Sequence, residues 1–255
     1  MTNKKKRRGS DRKTSIVKDI VATRVASKVL PNRKQARLFL EQYFSDVPAS
    51  DLAGRSPDVM ASIAFSHLEF AAQRRKGQAK LRIYTPTDKE HGYASPYTFV
   101  ELINDDMPFL VNSVTAAINR HDLTVHITVH PIIRLSRSKS GKLESVADIE
   151  ASEGNRESFI RFAVDRETDD KQLKLLEQEI RKVLADIRLA VRDWKKMRLQ
   201  MIAARDLLEF GPSRADEELR SESQEFLQWL ADDHFTFLGY REYKLTKRGR
   251  KTLLE

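Results

Sequence analysis

Between Tyr97 and Arg134 the chain reads YTFVELINDDMPFLVNSVTAAINRHDLTVHITVHPIIR, and the spacing of its apolar residues changes twice within that span. A run of β-branched and aromatic residues leads into a turn carrying Asn104, Asp105, Asp106 and Pro108. Leu110, Val111, Val114, Ala117 and Ile118 then recur at helical spacing, after which Val125, Ile127 and Val129 alternate with Thr124, His126, Thr128 and His130. The expected order is strand, acidic turn, helix, strand, with one face of the second strand apolar and the other polar. Such a unit presents carboxylates and helical N–H groups at one corner, which is the geometry of a small-molecule receptor. It does not by itself make an enzyme.

The formal charge of +9 suggests nucleic acid until its placement is counted. Residues 1–13 hold seven basic residues against Asp11, and residues 247–255 hold four against Glu255, so the ends supply the whole excess. The body from 14 to 246 has 35 basic and 35 acidic residues. A basic end can touch phosphates by releasing counterions, but a short charged terminus is more often a solubilising, disordered arm. Nucleic acid is not the expected partner. The chain has no cysteine, which excludes disulfides and thiolate metal sites and fits a reducing compartment. No apolar run approaches the ~18 residues of a membrane span, and no apolar signal core follows the basic start. A cytoplasmic protein with no membrane partner is expected.

Upstream of the β-α-β unit, Ile16, Val17, Ile20, Val21, Val25 and Val29 predict a helix that Leu30 and Pro31 stop. A second helix is expected from about Arg33 to Phe44, and a third with Ser56 as N-cap, Pro57 at the first position and Gly77 at its end. His67 lies on that third helix's apolar stripe, where a hydrogen-bonded packing histidine is expected. Gln78–Thr85 turns extended. Leu123–Leu135 predicts one strand, Ser136–Asn155 a loop with a hairpin around Gly141, and Ser158–Asp165 a strand with Ile160, Phe162 and Val164 on one face.

From Leu173 to Leu208 apolar residues recur by threes and fours, as one coiled-coil-like helix or as two helices broken near Asp193. The break is favoured, because compact domains seldom carry so long a helix. Gly211 and Pro212 stop the pattern, Ser213 or Asp216 starts another helix, and Phe235–Leu245 is expected to be a strand.

The nine glycines are scattered, the closest pair, Gly239 and Gly249, lying ten apart. Cradling a pyrophosphate or triphosphate normally needs clustered glycines, so no cofactor is expected in these residues. His126 and His130 share a strand face but lie roughly 13 Å apart, too far to chelate one metal, and no metal site is expected. No histidine has the context of a catalytic triad, so no catalytic residue is assigned. Asp105 and Asp106 leave three readings open. One of them caps the following helix, the pair does acid-base chemistry, or the corner binds an amino acid, with its ammonium on the carboxylates and its carboxylate on helix N–H groups.

NDDMPFLVNSV, from Asn104 to Val114, resembles a motif in the N-terminal region of the very large bacterial NAD-specific glutamate dehydrogenases, where DDMPFLVDSV is common. FLQWLADDHFTFLGYREYKL, from Phe226 to Leu245, resembles a second hallmark of that family, and SPDVMASIAFSHLEFAAQRRKGQAKLRIYTPT, from Ser56, is similar to its early part. The resemblance covers nearly the whole chain after the basic tail. It implies an α+β fold in which N-terminal helices precede an ACT-like, ferredoxin-like β-α-β-β-α-β antiparallel sheet with long helices on one face. With the charge count and the turn-rich stretch after Thr85, four segments are expected: a disordered basic tail over 1–13, a helical subdomain over 14–77, an ACT-like domain over 78–210, and a helix plus strand completing or extending the sheet over 211–255.

The function implied is regulatory or assembly work for an enzyme that oxidises L-glutamate with NAD to 2-oxoglutarate, ammonium and NADH. NAD and the catalytic domains belong to the downstream part of that polypeptide, the segment itself has no cofactor, and a homo-oligomer is expected. An amino-acid effector is expected at Asn104, Asp105, Asp106, Met107, Phe109, Leu110, Val111, Asn112 and Ser113; the alternative is a purely structural oligomerisation module. Asn112 stands where the family usually has aspartate. The family's chains continue far beyond Glu255, which implies an expressed fragment or a truncated natural product.

Overall fold

A computed structural model describes residues 13–24, 26–52, 54–91, 93–210, 216–243, 245–248 and 251–254. The basic tail ahead of Lys13, the stop at Gly211 and Pro212, the alternative start at Ser213 and the closing Glu255 lie outside the described residues. Two compact units form, one up to Leu184 and one from Ala185.

In the first unit, residues 13–22 are helical (α1), so the expected helix is shorter than its apolar pattern. Asn32 starts α2 (Arg33–Tyr43) by accepting the Gln35 N–H at 3.0 Å. That bond satisfies one of the helix's free donors, and Asn32→Ala should cost about 1 kcal/mol. A urea titration reads this as a lower midpoint at unchanged slope; an unmoved midpoint means that the cap does not form. A short α3 (Ala49–Leu52) follows. α4 (Pro57–Ala71) has Ser56 as an extended N-cap and Pro57 in its first turn, and it ends before Gly77.

The sheet contains β1 (Lys80–Tyr84), β2 (Thr98–Asp105), β3 (Val125–Val129), β4 (Ile132–Arg137), β5 (Leu143–Val146) and β6 (Asn155–Val164). A one-turn α5 (Asp88–His91) lies between β1 and β2, and α6 (Leu110–Arg120) between β2 and β3. The order is β1-β2-β6-β4-β5, with β3 also on β6, and every pairing is antiparallel.

The single strand expected over Leu123–Leu135 is broken at His130 and Pro131, because proline has no N–H to give the ladder. β3 and β4 nevertheless share one partner, from Val125 opposite Val164 to Leu135 opposite Asn155. The Pro131 carbonyl bridges the break by accepting the Phe159 N–H at 3.0 Å. β2 and β3 therefore flank β6 in the same direction, joined by α6, which is the split β-α-β of a ferredoxin-like fold. The β4–β5 hairpin turns at Gly141 as expected.

The place beside β2 is filled by β1, Lys80 opposite Ile103 through Tyr84 opposite Phe99. Phe235–Leu245, expected to be a strand, is irregular through Tyr243, and β7 (Leu245–Arg248) pairs with β8 (Lys251–Leu254) in a separate hairpin. The physical reason is proximity: β1 reaches β2 by closing a short loop, whereas a strand far along the chain must close a long one.

Both sheet faces are buried. Phe99, Glu101, Ile103, Phe159, Arg161 and Ala163 alternate onto one face, and Ile103 and Phe159 join a core with Phe39, Tyr43, Phe44 and Phe65 of the N-terminal helices. Val100, Leu102, Ile160, Phe162 and Val164 form the other. Leu110, Val114 and Ile118 of α6 and Leu176 and Ile180 of α7 (Asp170–Phe210) carry buried apolar stripes. Arg120 and His121 both bond Glu179, at 2.6 and 2.7 Å, tying α6 to α7.

The helix expected to break near Asp193 does not break: α7 is one element of 41 residues. Asp193 caps nothing there, because its carboxylate is taken by Arg192 at 2.8 Å and approached by Lys196 at 3.9 Å. In the second unit α8 (Glu217–Trp229) starts at Asp216, whose side chain accepts the Leu219 N–H at 2.8 Å, and a π-helical turn Leu230–His234 extends it. Arg198 Nε donates to the Ala231 carbonyl at 2.7 Å, joining that turn to α7.

Candidate functional site

The corner between β2 and α6 differs from its expected form at its first residues. Asn104 and Asp105 are the last residues of β2 rather than part of a turn, and Asn104 is buried. Asp105 accepts from Arg74 Nη2 at 2.8 Å and from the Gly77 N–H at 2.9 Å. Asp106 accepts from Ser158 Oγ at 3.2 Å and faces Arg156 Nε at 3.2 Å. Neither aspartate caps α6. Charged partners hold both side chains elsewhere, and a guanidinium is a stronger partner than an uncharged N–H.

The N-cap is Phe109, at φ +73° and without a side-chain capping bond. A non-glycine residue in the left-handed region is uncommon and costs about 1–3 kcal/mol when the surroundings impose it. The consequence is local: among the described residues no side-chain oxygen is bonded to the first N–H groups of α6. Around them Leu110 is buried, Met107, Val111 and Ser113 are half-buried, and Phe109 and Asn112 are exposed. The nine expected site residues thus divide. Asn104, Asp105 and Asp106 belong to the strand and its ion pairs, while Met107 and Phe109–Ser113 form the open end of a helix that favours negative charge.

A dinucleotide does not fit this turn. Asp106, Met107, Pro108 and Phe109 stand where close approach of a pyrophosphate needs glycine, and Gly54, Gly77, Gly141 and Gly154 occupy separate turns. Among the described residues no three His, Asp or Glu side chains gather as metal ligands. His126 instead bonds Asp165 at 2.6 Å and packs on Tyr97. His67 is the packing histidine expected, with Nδ1 3.0 Å from the Tyr43 hydroxyl.

Two buried charge clusters on the face toward the N-terminal helices were not anticipated. In the first, Glu157 accepts from Arg74 Nε at 3.0 Å and from Arg137 Nε and Nη2 at 2.7 and 2.9 Å. In the second, Glu101 accepts from Arg82 Nε at 2.7 Å and from the Tyr84 hydroxyl at 3.1 Å, with Arg161 Nε 3.5 Å away. The available signal was the placement of Glu101, Glu157 and Arg161 at alternate positions of otherwise apolar strands. Alternation does not say whether that second face meets water or helices.

The family model described as glutamate dehydrogenase, ACT1 domain, matches residues 39–180, from α2 into α7. The chain is similar to the NAD-specific glutamate dehydrogenase of Halomonas elongata, 36% identical over 240 residues, a match covering 89% of this chain and 15% of that protein. It is similar to the enzyme of the same name from Pseudomonas aeruginosa, 32% identical over 232 residues, covering 88% of this chain and 14% of that one. The Mycobacterium tuberculosis protein of that name is 23% identical over 185 residues, 71% of this chain and 11% of its own. The chain thus spans about 15% of the length of the first of these relatives.

Proposed function

The chain belongs to the glutamate dehydrogenase ACT1 domain family, and from that premise we propose that it is the regulatory and assembly segment of an NAD-dependent glutamate dehydrogenase. Oxidation of L-glutamate to 2-oxoglutarate and ammonium, with NAD as acceptor, is then the work of downstream domains of the same polypeptide. The segment's own task is to sense an amino acid at the β2–α6 corner. One observation carries this reading: the uncapped amino end of α6, opened by the left-handed Phe109, with the exposed Asn112 in its first turn. A ligand carboxylate supplies there the negative charge that no side chain supplies.

Titration of the chain with the twenty amino acids in a calorimeter tests it, with micromolar to millimolar affinity expected for at least one. In Asn112→Glu the new carboxylate reaches back over the free N–H groups, so binding should weaken about tenfold, worth about 1.4 kcal/mol, while the fold is kept. Heatless titrations throughout, or an Asn112→Glu variant that binds as well, end the sensing role.

The structural alternative has its own support in the second unit. Leu207, Phe210, Trp229 and Leu238 are exposed there, and apolar side chains of this kind become an interaction surface where they lie together. Light scattering on the chain checks self-assembly: a concentration-dependent oligomer supports pairing between copies, and a monomer at every concentration leaves the downstream domains as the partner.

A further inference from the structure

A cavity lies between the N-terminal helices and the sheet, apart from the β2–α6 corner. Val47, Met60, Ile63, Phe99, Val129 and Ala163 give it an apolar wall, and Tyr43 and Arg161 line it too. It leaves about 60 Å³ for the centre of a water molecule, several times what one water needs.

The cation in that apolar wall is short of negative charge. The Arg161 side chain is 6% exposed, and its nearest carboxylate, Glu101, stands at 3.5 Å. Arg82 holds the same carboxylate more closely, at 2.5 Å. Two guanidinium groups therefore share one anion, and the tighter hold is not that of Arg161. Its Nη2 donates to the neutral Tyr93 hydroxyl at 3.0 Å, and its Cζ lies 3.8 Å from the centre of the Phe99 ring. Among the described residues no second carboxylate comes within ion-pair distance of it. Asp51 and Arg55 also line the cavity, with opposite charges. A buried charge without full compensation is costly, and an apolar pocket holding one such group has the composition of a small-ligand site.

We propose that this cavity binds a small apolar monocarboxylate, with its carboxylate on Arg161 and its aliphatic chain against Met60, Ile63, Val129 and Ala163. A free short-chain acid and the α-amino acid of the same chain share this chemistry, and the second adds an ammonium that Asp51 can meet. The site is independent of the corner at Phe109.

Isovalerate, its amide and L-valine separate the cases, because they differ only in the charged groups. Methyl spectra of the full chain should show saturable shifts of Met60, Ile63, Ile127 and Val129 on adding isovalerate, with a Kd on the order of 1 mM. Isovaleramide, the same shape without the charge, should bind about tenfold or more weakly. L-valine binding more tightly than isovalerate makes the amino acid the ligand; the reverse makes it the free acid.

Arg161→Met leaves Glu101 with one partner fewer and endangers the fold, so Ala163→Leu is the variant of choice. It fills the cavity without touching the charges and should weaken isovalerate about tenfold. Asn112→Glu should leave isovalerate binding unchanged. Equal affinity for acid and amide overturns the proposal, as does the absence of saturable shifts at these methyls. Loss of binding in Asn112→Glu transfers the ligand to the corner and overturns it equally.

Discussion

Glu157→Ala is expected to lower the unfolding free energy by about 3–5 kcal/mol, the cost of leaving buried charges without their partner. Glu157 is buried, and so are the side chains of both cations it holds, Arg74 and Arg137. Removing the carboxylate leaves Arg74 with Asp105 and the Gln78 carbonyl, and Arg137 with the Gly141 carbonyl. The cluster sits where several elements meet. The Arg74 N–H donates to the Gly141 carbonyl at 2.9 Å, and the Leu143 N–H donates to the Ala72 carbonyl at 2.8 Å, so the β4–β5 hairpin is laced to the end of α4. Gly141 allows this approach: a Cβ there would stand 2.5 Å from the Arg74 carbonyl oxygen, at φ +92°. Urea titration measures the loss, and Asp106→Asn, which breaks a partly exposed pair, should cost under about 1 kcal/mol. A comparable loss in both variants means that water reaches Glu157 and that its burial contributes little.

The same cluster marks where reading the sequence reaches its limit. Helical and strand periods are local properties, and they place α2, α4 and α6 because each element's own spacing reports its buried face; the β4–β5 turn is legible only through Gly141, and β5 falls inside the expected loop. The strand-helix-strand order is local too, but the place of β6 between β2 and β3 is implied only by the family resemblance. Partner choice between distant strands is not local. Nothing in Lys80–Tyr84 says that it, and not Phe235–Leu245, lies beside β2; the register with its Arg82–Glu101 ion pair says so. Asp105 and Asp106 illustrate the same limit at the candidate site. Their type and position before a helix predict a cap, yet Arg74, remote in sequence, and Arg156, across the ladder on β6, bind them first. The continuous α7 was misjudged for another reason. The break is favoured on length alone, and Asp193, the candidate cap near it, is paired with its neighbours Arg192 and Lys196 and has no need to turn back on the backbone.

Acidification should destabilise the first unit through His67 in particular. The imidazole is 0% exposed, bonded through Nδ1 to the Tyr43 hydroxyl and packed edge-on against Phe159, with ring centres 5.2 Å apart. Burial pushes its pKa down from 6.5 to about 4. Above the unfolded value of 6.5 both states are neutral, and the buried ring's contribution is fully present. As pH falls below it, the unfolded chain takes a proton that the folded chain refuses. Stability is therefore lost from about pH 6.5 down to about 4 and levels off once the folded imidazole also protonates.

The size of that loss is about 3 kcal/mol over the full window, and about 2–3 kcal/mol by pH 4.5. Carboxylates add their own acid sensitivity, so a difference between two proteins is the informative quantity. His67→Asn keeps a hydrogen-bonding group for Tyr43 and cannot titrate. Urea titrations at pH 7.5 and 4.5 should show the parent chain losing about 2–3 kcal/mol more than His67→Asn. Equal losses mean that the ring finds room for its proton in the folded state. That outcome would place water, or a rearranged Glu101, beside His67, and the apolar packing of Phe39, Tyr43 and Phe159 around it would not be the dry core that fixes the N-terminal helices to the sheet.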